Sequence, residues 1–251
     1  MALDALFFGA HPDDVELTSG GLAARLAAHG HAVGIVDLTR GELGTRGDAL
    51  TREREAHAAA ALLGVAQREC LGIPDGGVDS DESEQLDAVV SCLRAHRPAL
   101  VVAPDRHDEH PDHIEASHLI ARACYLAGLA RFGRGERFRP ERLLFALYRA
   151  SEKPHLVVDV SAVWEKRMAA LRAHASQLGA AAGEPTYLTA AGFLEGVEAR
   201  ARAWGALAGV THAEAYRVRG PWPVLDARAL LGSRGGREAG VRGSGGKHGE
   251  A

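Results

Sequence analysis

Residues Ala5–Glu16 read ALFFGAHPDDVE, and this stretch decides the fold class. Ala5 to Ala10 is an unbroken apolar run of strand length, the pattern of a strand buried on both faces. It is followed by His11, Pro12 and two aspartates, and then by a helical pattern over Gly20 to His29 that Gly30 ends. The unit is therefore strand, reactive loop, helix.

Working outward, the unit repeats. Ala32 to Leu38 reads as a second strand, Leu50 to Leu63 as an alanine-rich helix stopped by Gly64, and Arg68 to Gly72 as a weaker third strand. Ser83 to His96 reads as a helix closed before Pro98, Leu100 to Ala103 as a short buried strand, and a helix runs from about His113 to Gly128. Beyond Arg131, Leu143 to Tyr148 and Leu156 to Val160 read as later strands of the same sheet. Val163 to Gln177 and Phe193 to Leu207 read as helices. This alternation predicts an α/β, Rossmann-like domain with a mostly parallel sheet and helices on both faces, over residues 1–231. Residues 232–251 hold eight glycines and one sizeable apolar residue, Val241, and read as a disordered glycine-rich tail.

Composition limits the partners. Of 251 residues 46% are hydrophobic, enough for a core, and a net charge of −4 argues against nucleic acid, which would favour a basic stripe. No apolar run nears the roughly 18–20 residues that span a bilayer, so no membrane partner is expected. With no basic, apolar and cleavable leader in sequence, a cytoplasmic location is the default. Cys70, Cys92 and Cys124 are odd in number and widely spaced, and read as buried, reduced thiols. Trp164 and Trp204 fall in helical patterns and read as core. His29, His57, His96 and His118 read as surface or capping residues, and His107, Asp108 and Glu109 as solvated loop residues.

In a parallel sheet, ligands bind beside the carboxyl ends of the strands. Four loops fall there: His11-Pro12-Asp13-Asp14; Thr39 to Asp48 (TRGELGTRGD), carrying Glu42, with Arg52 just beyond; Gly72 to Asp79 (GIPDGGVD), carrying Asp75; and Pro104 to His113 (PDRHDEHPDH). Strands one and four are neighbours at the usual switch point, so the HPDD and HPDH loops can meet. His11, Asp14 and His113 form a candidate ligand set, since two neutral imidazoles and a carboxylate leave a divalent ion an open position, as catalytic zinc sites do. A dinucleotide site is disfavoured because G-x-G-x-x-G is absent after strand one, and a serine hydrolase because no G-x-S-x-G elbow occurs.

These segments resemble the LmbE-like or PIG-L-like family of zinc-dependent N-acetylglucosamine deacetylases: GAHPDDVE, TRGELGTRG, GIPDGG and HPDH, one in each loop. The later half is most similar to the bacillithiol-pathway branch, through PHLVVDVS at Pro154 to Ser161, Glu165-Lys166, Ser176-Gln177-Leu178, Ala199-Arg200 with Gly205, and Ala213-Glu214. The chain departs from that branch at Leu178, at His212 and at Ala215-Tyr216. The resemblance implies removal of the acetyl group from an N-acetylglucosaminyl conjugate, with N-acetylglucosaminyl malate as substrate. It implies His11, Asp14 and His113 as ligands to Zn2+ or Fe2+, and Asp13 as general base. His110 would steady the oxyanion and assist the leaving amine, with Asp112 orienting it. Arg52 would hold the sugar, Glu42 and Asp75 would accept from hydroxyls, and assembly into a homo-oligomer is expected. Arg200 reads either as a substrate contact or as a brace for the closing loop. The alternatives are a general N-acetylglucosamine deacetylase or thiol-conjugate amidase of the same superfamily, and a non-catalytic sugar-binding relative.

Overall fold

A computed structural model describes residues 2–149, 151–179 and 184–223. Residues Met1–Arg219 form one compact unit and Gly220–Ala251 a second, of which only residues 220–223 are described. The expected tail at 232–251, like the last residues of the expected 1–231 domain, lies outside the described residues.

Seven strands make one sheet: β1 (Ala5–Gly9), β2 (Val33–Thr39), β3 (Gln67–Ile73), β4 (Leu100–Pro104), β5 (Arg142–Ala146), β6 (Leu156–Asp159) and β7 (Ala213–Val218), in the order β3-β2-β1-β4-β5-β7-β6. β1 pairs in parallel with both β2 and β4, and every β1 residue is buried, as its continuous apolar run requires. β7 is antiparallel to β5 and to β6, so it alone runs against the other six. The sequence reading did not find β7. Its residues AEAYRV carry a glutamate and an arginine beside two alanines and a tyrosine, and the pattern becomes a strand only between two partners.

The helices are α1 (Asp14–Thr18), α2 (Gly20–Ala28), α3 (Ala49–Leu63), α4 (Ser83–His96), α5 (Pro111–Leu126), α6 (Trp164–Arg172), α7 (Ala175–Leu178) and α8 (Phe193–Ala208). α4 and α5 cover one face, where Leu86, Val90, Leu93, Leu119 and Ile120 pack on Phe8, Val36 and Val101. The helices α1, α6 and α8 share an apolar cluster over the other face, built on Leu17, Trp164, Met168, Leu171 and Val197. Trp164 and Trp204 are both core residues, as expected. The single helix expected over 163–177 is broken: α6 ends at Arg172, and His174 precedes the separate turn of α7. α3 shows clear local signals, with the Asp48 side chain accepting from Thr51 N at 2.7 Å and Gly64 closing the helix in the left-handed region.

Other expectations need correction. Cys70, on the edge strand β3, is exposed rather than buried, whereas Cys92 and Cys124 are buried. His96 is buried and paired with Glu69, not a surface or cap residue. His29, His57 and His118 are exposed. Among the described residues, no helix is long and apolar enough to cross a membrane.

Candidate active site

The chain after β1 leads into α1 and the chain after β4 into α5, helices on opposite faces of the sheet. The two strands are neighbours, so their loops open a crevice between them, the switch point at which such sheets bind ligands. His11, Asp13, Asp14, His110, Pro111 and His113 line one cavity of about 610 Å³ there, together with Arg52, Asp75, Tyr148 and Arg149.

The first loop turns sharply. Asp13 has φ = 123°, one of two non-glycine residues with positive φ among the described residues. Such a conformation costs of order 1–3 kcal/mol and persists only where neighbours enforce it. Arg52 is the enforcer, since its Nη2 donates to Pro12 O at 2.9 Å and lies 3.6 Å from Asp13 Oδ1, while Nη1 donates to Gly41 O at 2.7 Å. That grip requires glycine at position 41, where φ is +65° and a Cβ would sit 2.0 Å from Arg52 Nη1. Both terminal nitrogens of Arg52, the expected sugar ligand, are thus engaged by backbone carbonyls, and Nε, which has no partner, remains.

The second loop is set by the start of α5. Pro111 occupies its first turn, and His110 is the N-cap, with Nδ1 accepting from Asp112 N at 3.2 Å. That acceptance places the proton of a neutral His110 ring on Nε2. It is therefore the Asp112 amide that holds His110, while the Asp112 carboxylate accepts from Gly76 N at 2.8 Å and meets His11 Nε2 at 3.1 Å.

The predicted ligands converge. His113 Nε2 lies 3.2 Å from Asp14 Oδ1, His11 Nδ1 lies 3.6 Å from Asp14 Oδ2, and the His11 and His113 rings are 5.4 Å apart. His110 completes a triangle with them, its ring 4.7 Å from His11 and 4.8 Å from His113, so three imidazoles offer nitrogens within metal-binding range. Asp75, also predicted, reaches His11 Nε2 at 3.0 Å through Oδ1 and accepts from Leu43 N through Oδ2. Glu42 accepts from Asp75 N at 3.0 Å and so ties the loop after β2 to the loop after β3. Arg200 lies apart: it donates to Leu17 O, stacks over Tyr148 at 4.7 Å and lines a neighbouring cavity of about 490 Å³. That cavity shares Tyr148, Arg149 and Tyr187 with the first.

The electrostatics suit a cation. Burial opposes protonation of His11, yet Asp112, Asp14 and Asp75 outweigh it and push the imidazole up to about 12. His113 is likewise raised to about 10 by Asp14 and Asp108 against the cost of burial. Asp14 is held well below the carboxylate range despite its burial, by His113 and His11. The carboxylates thus draw positive charge onto this spot, and an imidazole–carboxylate donor set is one that a divalent ion of the zinc or ferrous kind accepts. Burial pushes Asp13 up to about 6, with Arg52 pulling it down, whereas burial and the two neighbouring imidazoles push His110 down.

Two supporting groups escaped the sequence reading. Asp108, taken there as a solvated loop residue, accepts from His113 Nδ1 at 3.1 Å and fixes which nitrogen faces Asp14. Its position five residues before His113 is not a helix spacing, and only the fold of the loop brings it back. Glu16, fully buried two residues after Asp14, meets Arg68 Nη1 at 2.6 Å and His174 Nε2 at 3.4 Å, and Arg68 in turn forks onto both oxygens of Asp37. The placing of acid and base in GAHPDDVE, VDL and REC carries no hint that these charges meet.

The chain matches known proteins over the segment that carries these loops. The family described as PIG-L: GlcNAc-PI de-N-acetylase matches residues 6–124. The chain is 31% identical over 180 residues to diacetylchitobiose deacetylase of Thermococcus kodakarensis, covering 66% of this chain and 67% of that one. It is 32% identical to a 1D-myo-inositol 2-acetamido-2-deoxy-alpha-D-glucopyranoside deacetylase of a Mycobacterium species, covering 70% and 75%. Among solved structures, a conserved protein of Thermus thermophilus superposes with a TM-score of 0.78 at 42% identity, covering 89% of this chain and 97% of that one. The matched segment begins in β1, crosses both reactive loops and ends in α5, so the likeness falls on the residues that build the cavity: this chain belongs to the PIG-L, or LmbE-like, family of deacetylases.

Proposed function

We propose that this protein is a metal-dependent N-deacetylase that hydrolyses the acetamide of an N-acetylglucosaminyl conjugate, with N-acetylglucosaminyl malate of bacillithiol biosynthesis as the substrate and the cytoplasm as its location. The observation that carries the reading is the convergence of His11, Asp14 and His113 beside an aspartate, Asp13, whose burial lifts it toward neutral pH. The two named deacetylase relatives support the reaction class, since both act on N-acetylated glucosamine units by their names.

In this reading His11, Asp14 and His113 would hold Zn2+ or Fe2+, which when bound would supply Lewis acidity to the reaction. Asp13 accepts the proton of the attacking water, and a base of raised pKa is suited to that near neutral pH. His110, anchored through Nδ1, donates a hydrogen bond from Nε2–H to the developing oxyanion and steadies the departing amine, which takes the proton that Asp13 accepted from water. The C–N bond breaks, acetate leaves, and the sugar nitrogen departs as a free amine. The engagement of Arg52 with Pro12 and Gly41 supports a role in shaping the Asp13 turn, and its place in the cavity lining supports one in meeting the sugar. Asp75 lines the cavity, with Glu42 bound to its backbone amide, and both would accept from sugar hydroxyls; Arg149, also in the lining, suits an anionic aglycone.

The test is metal analysis of the purified protein together with acetate release from four substrates: N-acetylglucosaminyl malate, N-acetylglucosaminyl inositol, diacetylchitobiose and free N-acetylglucosamine. The malate conjugate is expected to show the highest kcat/KM, because binding energy from the remote carboxylates holds the amide in place. Equal constants for all four would remove the malate assignment and leave a general deacetylase. No acetate from any of them with metal-loaded protein would remove the deacetylase reading itself.

A further inference from the structure

Away from the catalytic cavity, β3 and α4 bring a carboxylate, a thiol and an imidazole together. Cys92 and His96 stand four residues apart in α4, so they project from one face of the helix toward the sheet. Glu69, in the middle of the edge strand β3, places Oε1 3.3 Å from Cys92 Sγ and 2.8 Å from His96 Nε2. One ligating atom from each residue lies within 4.8 Å of the other two. Cys92 and His96 are buried, and the Glu69 side chain keeps 34% of its exposure, so the cluster opens to solvent on its carboxylate side.

We propose that Glu69, Cys92 and His96 form a second metal site, separate from the catalytic cavity, that takes a divalent ion of the zinc class. Thiolate, imidazole and carboxylate ligands sit at about 2.0–2.3 Å from zinc in a tetrahedral arrangement, which sets donor atoms roughly 3.2–3.8 Å apart. Glu69 Oε1 already stands in that range from Cys92 Sγ and lies 2.8 Å from His96 Nε2, while all three donors fall within 4.8 Å of one another, so side-chain rotation alone would bring them to one ion. The thiol selects for zinc-like ions over magnesium or calcium, and the solvent side of Glu69 leaves the fourth position to water. As the sulfur–metal bond forms, the Cys92 S–H proton passes to solvent, leaving a thiolate and a carboxylate to balance the charge of the ion. None of the three residues lines the cavity that holds His11 and His113. An ion here would fasten the outermost strand to the helix beside it, bracing the one edge of the sheet that ends at β3.

The experiment is titration of the metal-free, full-length protein with Co2+, because a thiolate ligand gives cobalt a near-ultraviolet charge-transfer band that imidazole and carboxylate do not. The wild-type chain is expected to bind two equivalents, one of them with the thiolate band. Cys92→Ala should lose the band and one equivalent while keeping the other. Glu69→Gln and His96→Gln should weaken the band-bearing site at least about tenfold, the usual scale for losing a ligand or its support. Cys70→Ala, which removes the exposed neighbouring thiol, should change neither equivalent. Absence of the thiolate band from wild-type protein saturated with Co2+ would overturn the proposal and leave a hydrogen-bonded cluster only, and so would a band that survives in Cys92→Ala. Because the first of these readings uses the unaltered chain, misfolding of a variant cannot hide the outcome.

Discussion

Two clusters of buried charge lie side by side at the carboxyl end of β1 and are built on opposite principles. In one, Arg68 forks onto Asp37 at 2.7 and 2.9 Å and meets Glu16 at 2.6 Å, so a permanent cation closes a ring of carboxylates. In the other, Asp14, Asp75 and Asp112 surround His11 and His113, groups that carry charge only when protonated. The first cluster is sealed and Glu16 settles near 2, held down by Arg68 and His174 against its burial. The second opens into a cavity and raises both of its imidazoles. A cluster made for stability brings its own cation in an arginine, which cannot be deprotonated and cannot ligate a metal. A cluster made for an exchangeable ion uses imidazoles, whose protons a metal can replace.

The largest effect should come from emptying the second cluster. Replacing His11, Asp14 or His113 by alanine is expected to lower both bound metal and kcat/KM together, the latter by roughly 10³-fold or more, in line with several kcal/mol of Lewis-acid stabilisation. One metal per chain at normal affinity at this site in all three variants would break the contrast.

Next come the groups proposed to act on water and substrate. Asp13→Asn and His110→Ala are expected to retain the metal while kcat falls roughly 10²–10⁴-fold. Metal analysis beside steady-state kinetics separates them from the ligands, and a near-normal kcat in metal-loaded Asp13→Asn would sink the general-base role.

The first cluster should respond in stability. Arg68→Met strands Glu16 and Asp37 as buried charges, and breaking such a pair typically costs about 3–5 kcal/mol. Urea denaturation of the metal-free protein reads this directly. A loss below about 1 kcal/mol, the scale of an ordinary exposed pair, would show that the ring is not the brace its geometry implies.

The smallest effect tests the support behind a ligand. Asp108→Asn keeps a partner for His113 Nδ1 but removes the charge, and metal affinity should fall about 10–100-fold with little change in melting temperature. Competition with a chromophoric chelator measures it, and unchanged affinity would return Asp108 to the role of an ordinary loop residue.

Much of this was legible in the chain alone. Ala5 to Gly9 is apolar at every position and could only be an interior strand, Gly64 marks the end of α3, and HPDD and HPDH fall in the loops after two strands that the parallel pattern makes neighbours. Local signals of that kind survive folding because they are satisfied within a few residues of chain. Other features depend on partners far away in sequence. β7 is a strand because β5 and β6 flank it, α6 and α7 part where His174 turns inward toward Glu16, and His96 is buried because Glu69 of another element receives it.

By itself, then, the sequence determined the α/β architecture, the edge of the sheet where chemistry gathers and the residue types gathered there, since periodicity and turn chemistry are short-range properties. Only the tertiary structure decided which carboxylate faces which imidazole: that Asp108 supports His113, that the amide rather than the carboxylate of Asp112 holds His110, and that Arg52 grips the backbone of the Asp13 turn. The reason is physical. A charged side chain in water has no fixed partner, and its partner is chosen when burial removes the solvent and leaves one arrangement in which every charge is met.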